Sequence, residues 1–255
     1  MLVKEYRISM PLSVEEYRIG QLYMINRHSN EQSESGEGVH VVTNEPCEDE
    51  KYGTGQYTEK RVYLSSRLPA WVRSYIPNLF YIVEKAWNYY PYTITEYYCS
   101  FLPRFSVRIE TKYLDDNGCT ENCFNHNDDL NGRDVVHVDI AHDPIPDKYY
   151  VEEEDCRYFK SKITGRGPLE QGWQETQQPI MCSYKLVKVS FDIWGLSQRV
   201  ESYVHKVIQD ILSVGHRQAF AWIDLWYEMD INDVRQYEKE MQEKTNSKVG
   251  VDEQE

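Results

Sequence analysis

Apolar side chains recur along the chain with two periods, one of two residues and one of three to four. Each period is broken in a few places by a polar group. Residues 105–113 alternate strictly, with Phe105, Val107, Ile109 and Tyr113 on one side and Ser106, Arg108, Glu110 and Lys112 on the other. That pattern predicts a strand with one buried face. Thr111 falls in the apolar register, so a hydroxyl points where carbon is expected. The N-terminal residues 5–10 repeat the alternation through Tyr6, Ile8 and Met10 until Pro11 ends the strand. Residues 180–193 form the longest predicted strand, and there Lys185 joins the side of Val187, Val189, Phe191 and Ile193. In residues 56–64, Thr58, Lys60, Val62 and Leu64 share one face and Tyr57, Glu59, Arg61 and Tyr63 the other. The strand alone does not say which face is inside. If it is the Val62 face, Lys60 needs a partner.

The helical period appears three times. Ser13 and Glu16 fit a capping box that opens a helix carrying Val14, Tyr17, Met24 and Ile25 on one stripe. Gln21 lies at the same angle, which suits either a core hydrogen bond or a ligand contact. Leu196, Val200, Val204, Val207, Ile208, Ile211, Leu212, Phe220 and Ile223 predict one helix from residue 196 to about Trp226. Such a helix spans about 45 Å, and Gly215 offers a place to bend. Asp230 caps a last helix with Ile231, Val234 and Met241 on its face, and Glu238 stands among them. Past Lys244 the composition turns polar and predicts a frayed tail.

The remainder reads as connections. Residues 28–38 are a Gly/Ser-rich loop, 39–43 a short strand, 44–55 an acidic turn region and 134–141 a strand. Residues 68–80 are short, apolar and bracketed by Pro69 and Pro77, so they either tuck against the core or meet a membrane surface. Residues 160–169 form a basic, Gly-rich turn with Ser161 between two lysines, a plain surface turn or a regulated one. Cys119, Cys123 and His126 lack the second ligand pair that a zinc site requires, so no metal is expected.

The formal charge of −14 argues against nucleic acid and against electrostatic docking on anionic membranes. Any membrane contact therefore rests on local aromatic or apolar groups. Six irregularly spaced cysteines read as reduced thiols in the cytosol. No apolar run reaches a membrane-spanning length and the first residues read as a strand, so neither a span nor a signal peptide is expected. The chain has no GxSxG, HExxH or paired Cys/His signature, which disfavours an enzyme and a lipid hydrolase in particular. The misfits instead supply a cation, an anion, hydroxyls and an amide, the groups that hold a polyol and a phosphate away from water.

Four stretches, KAWNYYPYTIT, KSKITGRGPL, MCSYKLVKVSFDIWGL and GHRQAFAWIDLW, resemble the phosphatidylinositol transfer proteins. The resemblance covers about residues 1–245 and is nearest to the soluble class II members of the retinal degeneration B beta type. It implies an α+β, START-like fold in which a curved, mostly antiparallel sheet and a long C-terminal helix enclose a lipid cavity. One domain, 1–245, would be followed by a polar tail, 246–255. The implied cargo is one phospholipid, with no other cofactor: phosphatidylinositol, with phosphatidic acid or phosphatidylcholine as second ligand. The implied phosphate contacts are Gln21, Thr95, Thr111 and Lys185. The implied inositol contacts are Thr58, Lys60, Asn88 and Glu238. Membrane contact falls on Trp71, Val72, Tyr75 and Ile76 and on the pair Ile193-Trp194, where the family has two tryptophans. Ser161 matches a phosphorylation position, and Thr93 replaces a reactive cysteine. The resemblance further implies a cytoplasmic monomer that touches membranes transiently and carries lipid between them; a lipid-loaded sensor or adaptor is the alternative.

Overall fold

The alternating stretches become strands of one sheet, and the computed structural model describes them within residues 1–33, 37–64, 80–99, 101–102, 104–125 and 133–249. In chain order the strands are β1 (Leu2–Met10), β2 (Gly38–Asp49), β3 (Gly53–Tyr63), β4 (Tyr81–Tyr89), β5 (Tyr92–Tyr98), β6 (Phe105–Leu114), β7 (Asp134–Val138) and β8 (Met181–Phe191). The helices are α1 (Val14–Glu31), the short α2 (Trp173–Thr176), α3 (Ser197–Ala221), the short α4 (Ile223–Trp226) and α5 (Ile231–Val249). The sheet runs β2-β3-β4-β5-β6-β8-β1-β7, antiparallel except where β7 lies parallel to β1. This is the expected α+β architecture, a curved, mostly antiparallel sheet backed by long C-terminal helices.

The core forms where strand alternation and helix stripe agree. Tyr6, Ile8 and Met10 of β1, Val187 and Val189 of β8, and Val107 and Ile109 of β6 are buried on one sheet face. Tyr17 and Met24 of α1 and Ala219 and Phe220 of α3 meet them there. The capping box of α1 is formed: the Glu16 amide donates to Ser13 Oγ at 3.2 Å and the Ser13 amide to Glu16 Oε2 at 2.8 Å. Asp230 caps α5 by accepting from the Asn232 and Asp233 amides at 2.7 and 3.0 Å.

Several boundaries differ from expectation. The acidic region 44–55 is not a turn, because β2 continues through Pro46 to Asp49 and pairs with β3 as far as Asp49↔Gly53. An edge strand tolerates proline, since one row of its amides faces away from any partner. Part of the expected loop 28–38 is helix, because α1 runs on to Glu31. The strand expected over 134–141 stops at Val138, and that over 180–193 spans Met181–Phe191. The single helix expected from residue 196 to Trp226 is interrupted at Trp222, which separates α3 from α4. Gly215 marks a close approach, since a Cβ there would lie 3.3 Å from Met24 Sδ of α1. The tail expected after Lys244 is helical to Val249, whose side chain is buried.

The helices pack against the sheet mainly near its two ends. α5 and α1 lie on β2, while α3 lies on β1 and β8. The middle strands β3 to β6 are bridged over, and the space under that bridge is the cavity described next.

Candidate functional site

Alternation sends every second residue of the middle strands into this space. β3 contributes Thr58 and Lys60, β4 Asn88, β5 Thr93 and Thr95, β6 Thr111 and β8 Lys185. The cross-strand register aligns them in rows: Gln56↔Asn88, Asn88↔Thr93, Thr93↔Thr111 and Thr111↔Lys185. α1 supplies Gln21 from above, α3 supplies His216, and α5 supplies Glu238. All eight residues assigned to a head group by the resemblance thus line one cavity of about 290 Å³, at the lower end of small-molecule sites. The open question about β3 is answered here, because its Thr58 and Lys60 face is the inner one.

One end of the cavity is short of hydrogen-bond partners. Lys185 Nζ donates to Thr111 Oγ1 at 3.2 Å and lies 5.6 Å from the centre of the Tyr113 ring. Among the described residues it forms no carboxylate ion pair, and burial pulls its pKa down from 10.5 to about 8. The Tyr113 hydroxyl donates to Gln21 Oε1 at 2.9 Å, which leaves Gln21 Nε2 buried without a partner. His216 Nδ1 lies 2.7 Å from the Leu212 carbonyl, while its Nε2 is likewise buried and unpartnered. Burial and the nearby lysine hold that imidazole down to about 3, so it is neutral at ordinary pH. A cation and two idle polar nitrogens therefore converge on one space. Such groups are costly to bury unless something meets them.

The other end is paired within the protein. Lys60 Nζ lies 3.3 Å from Glu84 Oε1, Arg235 Nη1 donates to Glu238 Oε2 at 2.6 Å, and Thr93 Oγ1 donates to Asn88 Oδ1 at 3.2 Å. Glu84, Arg235, His216 and Tyr113 escape a sequence reading. The β4 inner face mixes Ile82, Glu84, Ala86 and Asn88 without a hydrophobic register, so nothing flags Glu84 as a misfit. Arg235 had one available signal, its place three residues before Glu238 on the same helix.

The remaining candidates lie away from the cavity. Trp71, Val72, Tyr75 and Ile76 fall outside the described residues, as does His126. Trp194 is 99% exposed on the turn after β8, and Ile193 beside it is half-buried. Ser161 is not on an open surface turn, being only 2% exposed. Its hydroxyl donates to Asp224 Oδ1 and accepts from the Thr164 amide at 2.9 Å. Asp224 also takes the Lys162 amide at 2.8 Å, so the whole turn is folded around this carboxylate. Burial pushes the Cys123 thiol up to about 12. Among the described residues no helix is long and apolar enough to cross a membrane.

A curved sheet bridged by helices over a cavity with one cationic, underpartnered end defines an α+β protein with an internal cavity suited to a ligand. Comparison places the chain more narrowly. A family model described as "Phosphatidylinositol transfer protein" matches residues 1–243, and the chain belongs to that family. It is 63% identical over 251 residues to "Cytoplasmic phosphatidylinositol transfer protein 1" of Xenopus tropicalis, covering 98% of this chain and 76% of that one. "Phosphatidylinositol transfer protein 5" of Dictyostelium discoideum is 46% identical, covering 95% of this chain and 85% of the relative. "Protein retinal degeneration B" of Drosophila melanogaster is 42% identical across 98% of this chain but only 21% of its own length. The class II resemblance read from the motifs agrees with these matches.

Proposed function

We propose that the chain encloses one phospholipid and carries it between membranes, with phosphatidylinositol as a ligand and phosphatidic acid as the second. The phosphate sits among Gln21, Thr95, Thr111 and Lys185, and the inositol among Thr58, Lys60, Asn88 and Glu238. The observation that supports this best is the Lys185 end of the cavity, where an ammonium and the idle Gln21 Nε2 donor meet no anion of the protein. A phosphate supplies that anion and accepts from both the lysine and the Gln21 amide. The wider apolar lining from Tyr17, Met24, Ile109 and Leu212 then takes acyl chain.

Such cargo does not leave through water. Two acyl chains carry about 30 methylenes worth about 0.8 kcal/mol each, a gross gain on the order of 25 kcal/mol. Exchange therefore takes place at a bilayer, with Trp194 entering the interface. The protein works in the cytoplasm as a monomer and meets membranes only during exchange. Fluorescent-lipid transfer between vesicles and native mass spectrometry of the co-purified lipid test the reading together. Thr58→Ala is expected to lose phosphatidylinositol and keep phosphatidic acid, and Trp194→Ala to slow transfer of both. Equal loss of both lipids in Thr58→Ala overturns the head-group assignment. A wild-type protein that holds lipid but transfers none points to a sensor instead.

A further inference from the structure

The antiparallel register brings four strand ends to one corner of the molecule. Val83 of β4 pairs with Tyr98 of β5, Tyr98 with Ser106 of β6, and Phe105 with Phe191 of β8. The β5–β6 turn therefore emerges beside the turn that follows β8. The two are clasped together: the Asp192 amide donates to the Arg104 carbonyl at 3.2 Å, and Arg104 Nη1 donates to the Asp192 carbonyl at 3.3 Å. Each turn is closed by its own backbone. The Leu102 amide reaches the Cys99 carbonyl at 3.1 Å, and the Leu196 and Ser197 amides reach the Ile193 carbonyl at 3.0 and 3.1 Å. On this double turn Phe101 is 53% exposed and Trp194 99% exposed. Arg104 is exposed next to them.

Among the described residues, nothing in the local fold calls for an aromatic ring at Phe101. Its neighbour Cys99 is buried and anchors the turn, whereas the phenyl ring is half in water. We infer that Phe101 and Arg104 form, with Trp194, a composite wedge that enters a lipid bilayer interface. The inference rests on the lipid-carrying reading and specifies where the membrane is met. Three observations favour a bilayer as the occupant. An aromatic pair with an arginine at its rim is the composition that settles at the headgroup level. The corner carries Arg104, Arg199 and the N-terminal amine against Asp192 and Glu201, so on a chain of formal charge −14 its local charge does not add to the repulsion of anionic headgroups. The corner also lies at the end of the sheet away from the phosphate residues. Lys185 lies six positions before Phe191, the end of β8, which is about 20 Å at about 3.3 Å per residue. In the same register the lining residues Ile109 and Tyr97 lie on the corner side of Thr111 and Lys185.

Vesicle sedimentation with phosphatidylcholine alone and with added phosphatidylserine tests the wedge, using Phe101→Glu, Phe101→Trp and Arg104→Glu in the full chain. Phe101→Glu is expected to weaken association about tenfold and to slow transfer in step, with unfolding midpoint and co-purified lipid unchanged. Phe101→Trp is expected to keep association at least at the wild-type level and to show quenching by bromine-labelled acyl chains. Arg104→Glu is expected to weaken association more on the phosphatidylserine vesicles. Wild-type association by Phe101→Glu overturns the inference and gives the corner to a protein partner. An unquenched indole in Phe101→Trp also overturns it, even where Phe101→Glu folds poorly. Neither result touches the lipid-carrying reading, which fails separately if wild-type protein holds and transfers no phospholipid.

Discussion

Replacing Lys185 with methionine separates what the lysine does for the fold from what it does for a ligand. The two side chains are similar in size, so the substitution removes the charge with little change in packing. Burial lowers the lysine from 10.5 to about 8 in the folded protein. At neutral pH that difference opposes folding by on the order of 3 kcal/mol, because a charged group stays away from bulk water. The sign follows from proton counting. Between about 8 and 10.5 the unfolded chain holds the proton and the folded chain does not, so stability rises with pH across this window. The penalty is complete below the folded value and gone above the unfolded one. Lipid-free wild-type protein is therefore expected to gain urea resistance from pH 7 to pH 10 relative to Lys185→Met. At pH 7 the variant is expected to be the more stable by about 2–3 kcal/mol. The same variant is expected to lose retained phospholipid about 10- to 100-fold, since a charge-assisted bond is worth about 1.5–3 kcal/mol. Urea midpoints of lipid-stripped protein at both pH values, with native mass spectrometry of unstripped protein, read the two effects. A Lys185→Met protein that is less stable than wild type at pH 7, or that keeps its cargo, refutes the reasoning.

Three further outcomes are expected. Ser161→Glu places a carboxylate against Asp224 in a buried turn and is expected to lower stability by about 2 kcal/mol or more, read as a urea midpoint; an unchanged midpoint would show that the turn opens freely. Glu238→Gln weakens the contact with Arg235 and the proposed ring contact together. It is expected to shift the ratio of phosphatidylinositol to phosphatidic acid in co-purified lipid about tenfold toward the latter; an unchanged ratio counts against it. Modification by a maleimide reagent is expected to spare the cavity, because Thr93 stands there, and to fall first on exposed Cys119; peptide mapping decides this.

How far the sequence foretold the fold depended on how each element is buried. β1, β6 and β8 are each paired on both sides and have an oily inner face, so their alternation is clean. β2 lies at the sheet edge, is mostly half-exposed, and contains Pro46 and Asn44. It looked like a turn because little packing had selected its residues. Gln21, Thr111, Lys185 and Glu238 stood out because they interrupt an apolar period. Asn88 and Thr95 came only through the family resemblance, as β4 and β5 have polar and aromatic groups on both faces and hence no period to interrupt. The buried turn of Ser161 depends on Asp224, 63 positions away, a pairing no local pattern contains. Phe101 was passed over for the same reason, since only the register of β5, β6 and β8 brings it beside Trp194.

The helix that carries Glu238 also carries its own fastening. At the far end of α5, Asn246 Nδ2 donates to the Val41 carbonyl at 3.0 Å, while its Oδ1 accepts from the Val41 amide at 2.8 Å. It thus acts as a missing strand partner beside the β-bulge between Val41 and Thr43. Lys248 Nζ donates to the Asn30 carbonyl at 2.8 Å, and Tyr237 stacks on Tyr23 at 4.5 Å between ring centres. A helix held this way moves as a unit, so displacing it from β2 withdraws Glu238 from the cavity and uncovers the space below. Asn246→Ala removes two hydrogen bonds at a partly buried edge, about 1–2 kcal/mol, and raises the population of the displaced helix about 5- to 30-fold. The expected signature is faster exchange of the Val41 amide hydrogen together with faster release of cargo to acceptor vesicles, both by a similar factor. Faster amide exchange with unaltered release would mean that α5 is seated independently of the route by which lipid leaves.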